Sequence, residues 1–391
     1  MTRKVSVLTG SRADFGLLRA LLIKLRKDSS ILLQLIVTGS HLSDAFGNTY
    51  REIENAGFDI SAHVAIPLEG DSKAEMAKAT GLAMTAYAEF FERNHPDLLV
   101  VLGDRFEIFA AAAAAMIQGI AIAHISGGDV TEGALDDTFR HCITKMSLLH
   151  FPGCRQSAMH IIQLGEDPSR VFNVGEPGVE NCLSLTPMSR SELQATIAID
   201  ITTKPFAVVT FHPSTMEDDS GPGQVWELIS ALEHFQNINF IITKANADAG
   251  SRAINHIWEE QAKTHVNWLL VPSLGLTRYI SAMNYAELII GNSSSGVVEA
   301  PAMKKPSVNI GNRQKGRMLA DSIICCEPVS EDITRAIKRA LSPEFKGIAA
   351  NVVNPFGDEQ TSQRIFDIIK QYLNDGPYKI EKKFYDFGVT L

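Results

Sequence analysis

The sequence predicts an α/β fold with two Rossmann-like domains facing across a cleft, on three observations. The chain has 391 residues, more than one hydrophobic core usually organises, so two domains of roughly 150–200 residues are expected. Short apolar, β-rich runs alternate with longer helical patterns, which is how βα units around a parallel sheet read in sequence. The alternation passes once through the first half, reaches Gly175-Glu176-Pro177-Gly178, and restarts beyond it. The expected domains are residues 1–175 and 176–375, with 376–391 as a tail.

In the first half the run VSVL gives a strand at residues 5–8, followed by a small-residue loop at 10–12 and a helix from about 14 to 27. Residues 33–38 form the next strand. Two more, at 98–102 and 120–124, enclose a helix over 106–118. Residues 150–152 make a short strand, 154–164 a helix, and 171–174 a last strand before the glycine-containing joint. In the second half, strands are expected at 206–210, 239–243, 266–271, 288–290 and 307–310. Helices at 224–235, 248–260, 277–282 and 296–303 connect them, and 331–340 and 360–373 close the chain. In such sheets ligands sit beyond the strand C-termini, so the residues just after strands carry most weight.

With 45% hydrophobic and 21% charged residues, the chain reads as an ordinary soluble globular protein. A net charge of −9 excludes nucleic acid as a partner, because phosphate backbones need a basic surface. An anionic small molecule remains compatible, since a few arginines and helix N-termini bind one against the global sign. The five cysteines (Cys142, Cys154, Cys182, Cys325, Cys326) are odd in number and lack CxxC spacing, so buried free thiols of a reducing compartment are expected. The start MTRK runs into a strand without a signal-peptide core, and the longest apolar run, at 110–116, is too short to span a bilayer. A cytoplasmic protein with no membrane partner follows.

The first strand ends in Gly10-Ser11-Arg12-Ala13-Asp14-Phe15-Gly16. Such a loop can cradle phosphate with its N–H groups, with Arg12 as a charged donor, and a plain βα turn explains it equally well. The strand at 98–102 ends in Gly103-Asp104-Arg105-Phe106-Glu107, where Asp104 either caps the next helix or serves as an acid. Then comes HISGGDVTEGALDDTFRH, residues 124–141, a glycine-broken loop with four carboxylates (Asp129, Glu132, Asp136, Asp137) and two histidines. Carboxylates gathered in a partly desolvated cleft raise one another's pKa, which suits removal of a proton from carbon and its return. At least one of Asp136 and Asp137 is expected to cap the following helix instead.

In the second half, His212 stands at a strand end and is held rigidly by Pro213, where it can orient a phosphate or act as an acid. The strongest single signal is Gly291-Asn292-Ser293-Ser294-Ser295-Gly296-Val297-Val298-Glu299. It follows a strand and starts a helix, so N–H groups, the hydroxyls of Ser293 and Ser294 and the helix dipole converge on a diphosphate seat closed by Gly296. Glu299, one turn inside, can accept from ribose hydroxyls; the competing reading of this turn is a serine-capped helix start. Next, Gly311-Asn312-Arg313-Gln314-Lys315 places Arg313 opposite that seat, whereas Lys315 reads as solvated. No DxD, HExxH or His/Cys cluster is present, so no metal and no cofactor are expected.

The segments GSRADFG, VLGDRFE, HISGGDVTEGALDDTFRH, FHPST, TKANADAG, GNSSSGVVEAP and NIGNRQKGR, in this order, resemble the hydrolysing UDP-N-acetylglucosamine 2-epimerases over about residues 4–375. The resemblance implies a GT-B-like fold whose C-terminal helix returns to the first domain. It also implies a reaction course. The C2 proton is removed, UDP leaves by anti elimination to give a 2-acetamidoglucal, water adds to C1, and C2 is reprotonated on the other face. Matched by motif, Arg12 and His212 contact phosphates, with Asp14 in the same binding loop as Arg12. Ser293, Ser294 and Arg313 hold the diphosphate, Glu299 the ribose, and Asn246 the sugar or a phosphate. Asp104 and Asp136 match acids of proton transfer, and Arg105 follows the first of them. The expected partners are a UDP-sugar and further copies of the chain, as a dimer or tetramer.

One departure matters. Many members of that family carry Glu two residues after the His that opens the HIxGG segment, and this chain has Ser126. Either Asp129 or Glu132 supplies the missing carboxylate, or Asp104 and Asp136 suffice. The substrate is UDP-GlcNAc or a UDP-2,4-diacetamido-6-deoxy sugar. The alternatives are a non-hydrolysing 2-epimerase, a GT-B glycosyltransferase, and a nucleotide-sugar binder without turnover.

Overall fold

The computed structural model describes residues 2–44, 47–67, 72–132, 134–213, 220–245, 250–376 and 381–386. The chain forms two compact units: Met1–Val130 with Asp136–Glu180 and Gln360–Leu391, and Thr131–Leu135 with Asn181–Glu359.

The first unit runs β1 (Arg3–Thr9), α1 (Arg12–Lys27), β2 (Ile31–Thr38), α2 (Tyr50–Asn55), β3 (Ile60–Val64), α3 (Lys73–Asn94), β4 (Leu98–Leu102), α4 (Phe106–Ile117), β5 (Ile122–Ile125), α5 (Leu135–Met146), β6 (Leu149–Phe151) and α6 (Arg155–Gln163). Its strands pair in parallel in the order β3-β2-β1-β4-β5-β6. Helices cover both faces, so successive strand residues are buried in opposite directions. Leu98, Val100 and Leu102 of β4 join one core, and Leu99 and Val101 the other. A parallel sheet covered on both faces reads as continuous apolar runs in this way.

After α7 (Pro177–Ser184) and α8 (Arg190–Gln194), the second unit repeats the plan: β7 (Phe206–Thr210), α9 (Ser220–Leu232), β8 (Asn239–Thr243), α10 (Ser251–Ala262), β9 (Trp268–Val271), α11 (Gly275–Tyr285), β10 (Leu288–Gly291), α12 (Ser295–Ala302), β11 (Ser307–Ile310), β12 (Ile323–Cys326), α13 (Ser330–Ala340) and α14 (Pro343–Ala350). Its parallel sheet has the order β12-β11-β10-β7-β8-β9. Counted from each unit's own first strand, both sheets have the doubly wound order 3-2-1-4-5-6. The strand order therefore reverses between β1 and β4, and again between β7 and β10.

The last helix, α15 (Thr361–Asn374), belongs to the first unit, where Ile365 and Ile369 join the core of α1. Lys370 also pairs with Asp28 at 2.6 Å just beyond α1. Residues 381–386 follow it onto the same unit: Lys382 Nζ reaches Glu166 at 2.7 Å and the Tyr385 amide donates to Gly165 O at 2.9 Å.

Several elements depart from expectation. Residues 171–174 form no strand; a single bridge joins His150 to Val171, because the turn Pro168–Arg170 and Gly175 leave too short a run for a ladder. The units divide between Glu180 and Asn181, inside α7, and Pro177 begins that helix, a position where its missing N–H costs nothing. The 22-residue α3, not among the expected helices, buries Ala79, Ala83, Tyr87, Phe90 and Phe91 along one face and begins at a capping box, Ser72 with Glu75. All five cysteines are free, but only Cys154 and Cys182 are buried and Cys142 and Cys325 are exposed, which corrects the expectation of uniformly buried thiols.

Candidate active site

In doubly wound sheets, diverging loops leave room for a ligand where the strand order reverses. In the first unit that place is lined by the ends of β1 and β4. The β1 turn is an orthodox helix start: Ser11 caps α1 by accepting from the Asp14 amide at 3.2 Å. Arg12 projects outward, its side chain 41% exposed and 3.4 Å from Glu52. Asp14 turns inward and accepts from Gly10 N at 3.2 Å. Burial raises its pKa to about 6, against the pull of Arg105 and with a push from Glu107. Glu107 is fully buried; Arg105 Nε donates to one of its oxygens at 2.6 Å, and the other has no hydrogen-bond partner.

At the end of β4, Asp104 does not cap α4. The N-cap residue is Arg105, whose side chain makes no capping bond. Asp104 instead forms an ion pair with Arg140 of α5. That arginine is 3% exposed, donates to the Asp129 carbonyl at 2.8 Å, and lies 3.4 Å from Asp137. One buried guanidinium thus gathers the end of β4, the glycine loop and the first turn of α5, where Asp136 stands half-buried beside Asp137. His124 on β5 packs beneath. Its Nε2 faces Gly103 O at 2.8 Å, an acceptor only, so Nε2 carries the hydrogen and Nδ1 faces Thr144 at 3.2 Å. Burial lowers its pKa to about 4, which keeps the ring neutral.

The other loop acids have further partners. Asp129 is buried and accepts from Ser157 Oγ at 2.5 Å. Glu132 belongs to the second unit, where its exposed carboxylate meets Lys315 Nζ at 2.7 Å and its amide donates to Lys315 O at 3.2 Å. Lys315 is therefore paired, not merely solvated. Ser126, just past β5, donates from Oγ to Glu176 Oε2 at 2.6 Å.

In the second unit the reversal lies between β7 and β10, and Asn292 bridges it. Its side chain accepts from His212 N at 2.7 Å and donates to His212 O at 2.8 Å. Its carbonyl accepts from Arg313 Nη1 at 3.1 Å and Gln314 Nε2 at 2.9 Å, at the end of β11. Gly291 makes this approach possible: its φ is +132°, and a Cβ there would lie 1.9 Å from Thr210 O. His212 is buried beside that bridge.

The α12 turn is not a serine-capped start, because Ser294, the N-cap residue, is exposed and makes no side-chain cap bond. Ser293 Oγ accepts weakly from Ser295 N at 3.4 Å, and Ser295 Oγ accepts from Tyr279 OH at 3.0 Å. Gly296 is needed for packing, since a Cβ would stand 2.9 Å from Ser307 Oγ. Glu299 keeps one buried oxygen without a hydrogen-bond partner, and burial raises its pKa. Asn246 lies outside the described residues. Among the described residues no group of three or more His, Cys, Asp or Glu is placed to hold a metal ion, and no helix is long and apolar enough to cross a membrane.

Comparison with known proteins bears on the whole chain. A family model described as UDP-N-acetylglucosamine 2-epimerase matches residues 23–370. The polysialic acid biosynthesis protein P7 of Escherichia coli is 37% identical over 98% of this chain and 97% of its own length. A GDP/UDP-N,N'-diacetylbacillosamine 2-epimerase (hydrolyzing) of Campylobacter jejuni is 36% identical over 88% of this chain and 89% of its own. Among solved structures, the UDP-GlcNAc 2-epimerase of Neisseria meningitidis bound to UDP-GlcNAc superposes with a TM-score of 0.79 at 17% identity, covering 94% of this chain and all of that one. That likeness shows the fold, which is the expected α/β, GT-B-like one. By the family match and the identity to these relatives, the chain belongs to the UDP-N-acetylglucosamine 2-epimerase family.

Proposed function

We propose that this protein is a hydrolysing 2-epimerase that converts a UDP-linked 2-acetamido sugar into UDP and the free C2 epimer. The observation that carries the reading is Asp104, presented at the β4 end on the buried Arg140 and not used as a helix cap. A carboxylate fixed at the ligand edge of a sheet can exchange a proton with a bound carbon acid. In the second unit, the uncapped α12 start with Ser293 and Ser294 offers N–H and hydroxyl donors to a diphosphate, and Arg313, anchored on Asn292, offers charge. Glu299 has an unused acceptor oxygen suited to a ribose hydroxyl.

In this reading a first-unit carboxylate removes the C2 proton while UDP departs from C1. The resulting glycal takes water at C1 and a proton at the opposite face of C2, with Asp104 and Asp136 as transfer groups. Relatives named for UDP-N-acetylglucosamine and for N,N'-diacetylbacillosamine both support a 2-acetamido substrate. The test is incubation with UDP-GlcNAc and with the UDP-2,4-diacetamido-6-deoxy sugar in D₂O, read by NMR. Free UDP and a C2-deuterated free epimer are expected from at least one. An epimer still attached to UDP would make the enzyme non-hydrolysing, and unchanged substrate would refute turnover.

A further inference from the structure

We propose that Glu176, held by Ser126, is a proton-transfer carboxylate of the first unit; this rests on the epimerase reading above. Ser126 follows β5 in a left-handed conformation, φ +60°, which a side-chain-bearing residue seldom adopts. Its amide donates to Phe151 O at 2.9 Å, which ties it to β6. From that fixed position its hydroxyl donates to Glu176 Oε2 at 2.6 Å, across fifty residues of sequence.

Gly153, two residues past β6, shows that the carboxylate is accommodated and not incidental. A Cβ there would lie 1.8 Å from Glu176 Oε1 and 2.4 Å from its Cδ and Cγ. Gly153 is absent from the positive-φ glycines, so backbone conformation does not require it. The Glu176 side chain does. Val174 O accepts from Thr361 Oγ1 at 3.2 Å and Arg364 Nη1 at 3.1 Å, so α15 pins the segment before Glu176. Pro177, opening α7, stiffens the segment after it.

The location is the ligand edge of the sheet. Gly103 N donates to Ile125 O at 3.1 Å, so Ser126 and Asp104 lie at the ends of adjacent strands, whose spacing is about 4.8 Å. Past these neighbouring strand ends one carboxylate is held on Arg140 and another on Ser126. Of the loop acids expected to fill this role, Asp129 is buried and bound by Ser157, and Glu132 is paired with Lys315.

In the proposed step the C2–H bond breaks and its proton passes to Glu176. The C–H electron pair forms the C1–C2 double bond, and UDP leaves with the pair of the C1–O bond. In the second half Asp104, in its protonated form, gives its proton to C2 from the other face, water oxygen bonds C1 and its lost proton restores Asp104, and Glu176 releases its own to solvent.

The full-length protein tests this through Glu176→Gln, Ser126→Ala and the double variant Ser126→Glu/Glu176→Gln, with UDP-GlcNAc and the diacetamido analogue as probes. Glu176→Gln should lower kcat about 10²–10⁴-fold and slow deuterium entry at C2 in parallel, with UDP affinity within about threefold of wild type. Ser126→Ala should move the acidic limb of the kcat–pH profile upward, because the carboxylate loses a donor that favours its charged form. The double variant should recover part of the lost rate. Glu176→Gln turning over within about threefold of wild type would overturn the proposal. So would a parallel fall of rate, UDP affinity and melting temperature without recovery in the double variant, which marks a structural residue. Wild-type protein that turns over neither probe would instead refute the epimerase reading, and this inference with it.

Discussion

The side-chain amide of Asn292 holds the main chain of His212 in both directions, accepting from its N at 2.7 Å and donating to its O at 2.8 Å. These residues end strands β10 and β7, which flank the reversal point of the second sheet. The shape of the proposed diphosphate seat therefore depends on a residue with no assigned ligand contact. Asn292→Ala strands two buried backbone groups, each of which costs about 1–3 kcal/mol when unpaired. Urea unfolding should show a loss of about 2–4 kcal/mol, and calorimetry a weakened UDP affinity. A variant with unchanged UDP binding would separate the bridge from the seat.

Asp104 and Arg140 should respond differently to substitution. Asp104→Asn keeps a hydrogen-bond acceptor for the arginine but removes a proton-transfer group, so turnover should vanish with UDP affinity held within about threefold of wild type. Arg140→Met leaves Asp104 without its buried partner and the Asp129 carbonyl without its donor. The expected destabilisation is about 3–5 kcal/mol in denaturant titration. Equal loss of turnover and UDP binding in Asp104→Asn would make that residue structural.

Asp14 links folding to pH. Its folded pKa of about 6 exceeds the ordinary value of 3.8, so the folded chain binds this proton more tightly than the unfolded one. The stability that comes with the neutral acid is complete below about pH 4 and is lost as pH rises through 6. Asp14→Asn remains neutral throughout. Its stability relative to wild type should therefore rise by about 2 kcal/mol between pH 4 and pH 7, measured without nucleotide. A flat difference would show that burial does not burden the carboxylate.

Arg313 tests the nucleotide seat more directly. Arg313→Ala leaves Gln314 still donating to Asn292 O at 2.9 Å, so the bridge survives and stability should change little. The loss of one charge-assisted contact, about 1.5–3 kcal/mol, should weaken UDP binding roughly 10–100-fold in calorimetry. Unchanged affinity would remove Arg313 from the site.

Much of the architecture was legible because it is written locally. An apolar run bounded by small residues announces a buried parallel strand, and β1, β4, β7, β8, β10 and β11 were found that way. β3, whose residues alternate between partly buried and exposed, and β12, of mixed burial, carry a fainter signal. In α3 the apolar stripe is blurred by alanines and by the exposed Leu82, and the helix is absent from the elements expected from sequence.

The sequence by itself determined which residues stand at strand ends: Asp14, Asp104, Ser126, His212, Ser293 and Arg313 all follow predicted strands closely. Only the tertiary structure decided what each of them meets. Asp104 finds Arg140 thirty-six residues later, Ser126 finds Glu176 fifty later, and His212 finds Asn292 eighty later, while Glu132 leaves its neighbours for Lys315. Periodicity and turn chemistry are set by neighbouring residues, so they are readable along the chain. A hydrogen bond between residues far apart in sequence exists only once each sheet has formed and brought its own strand ends together.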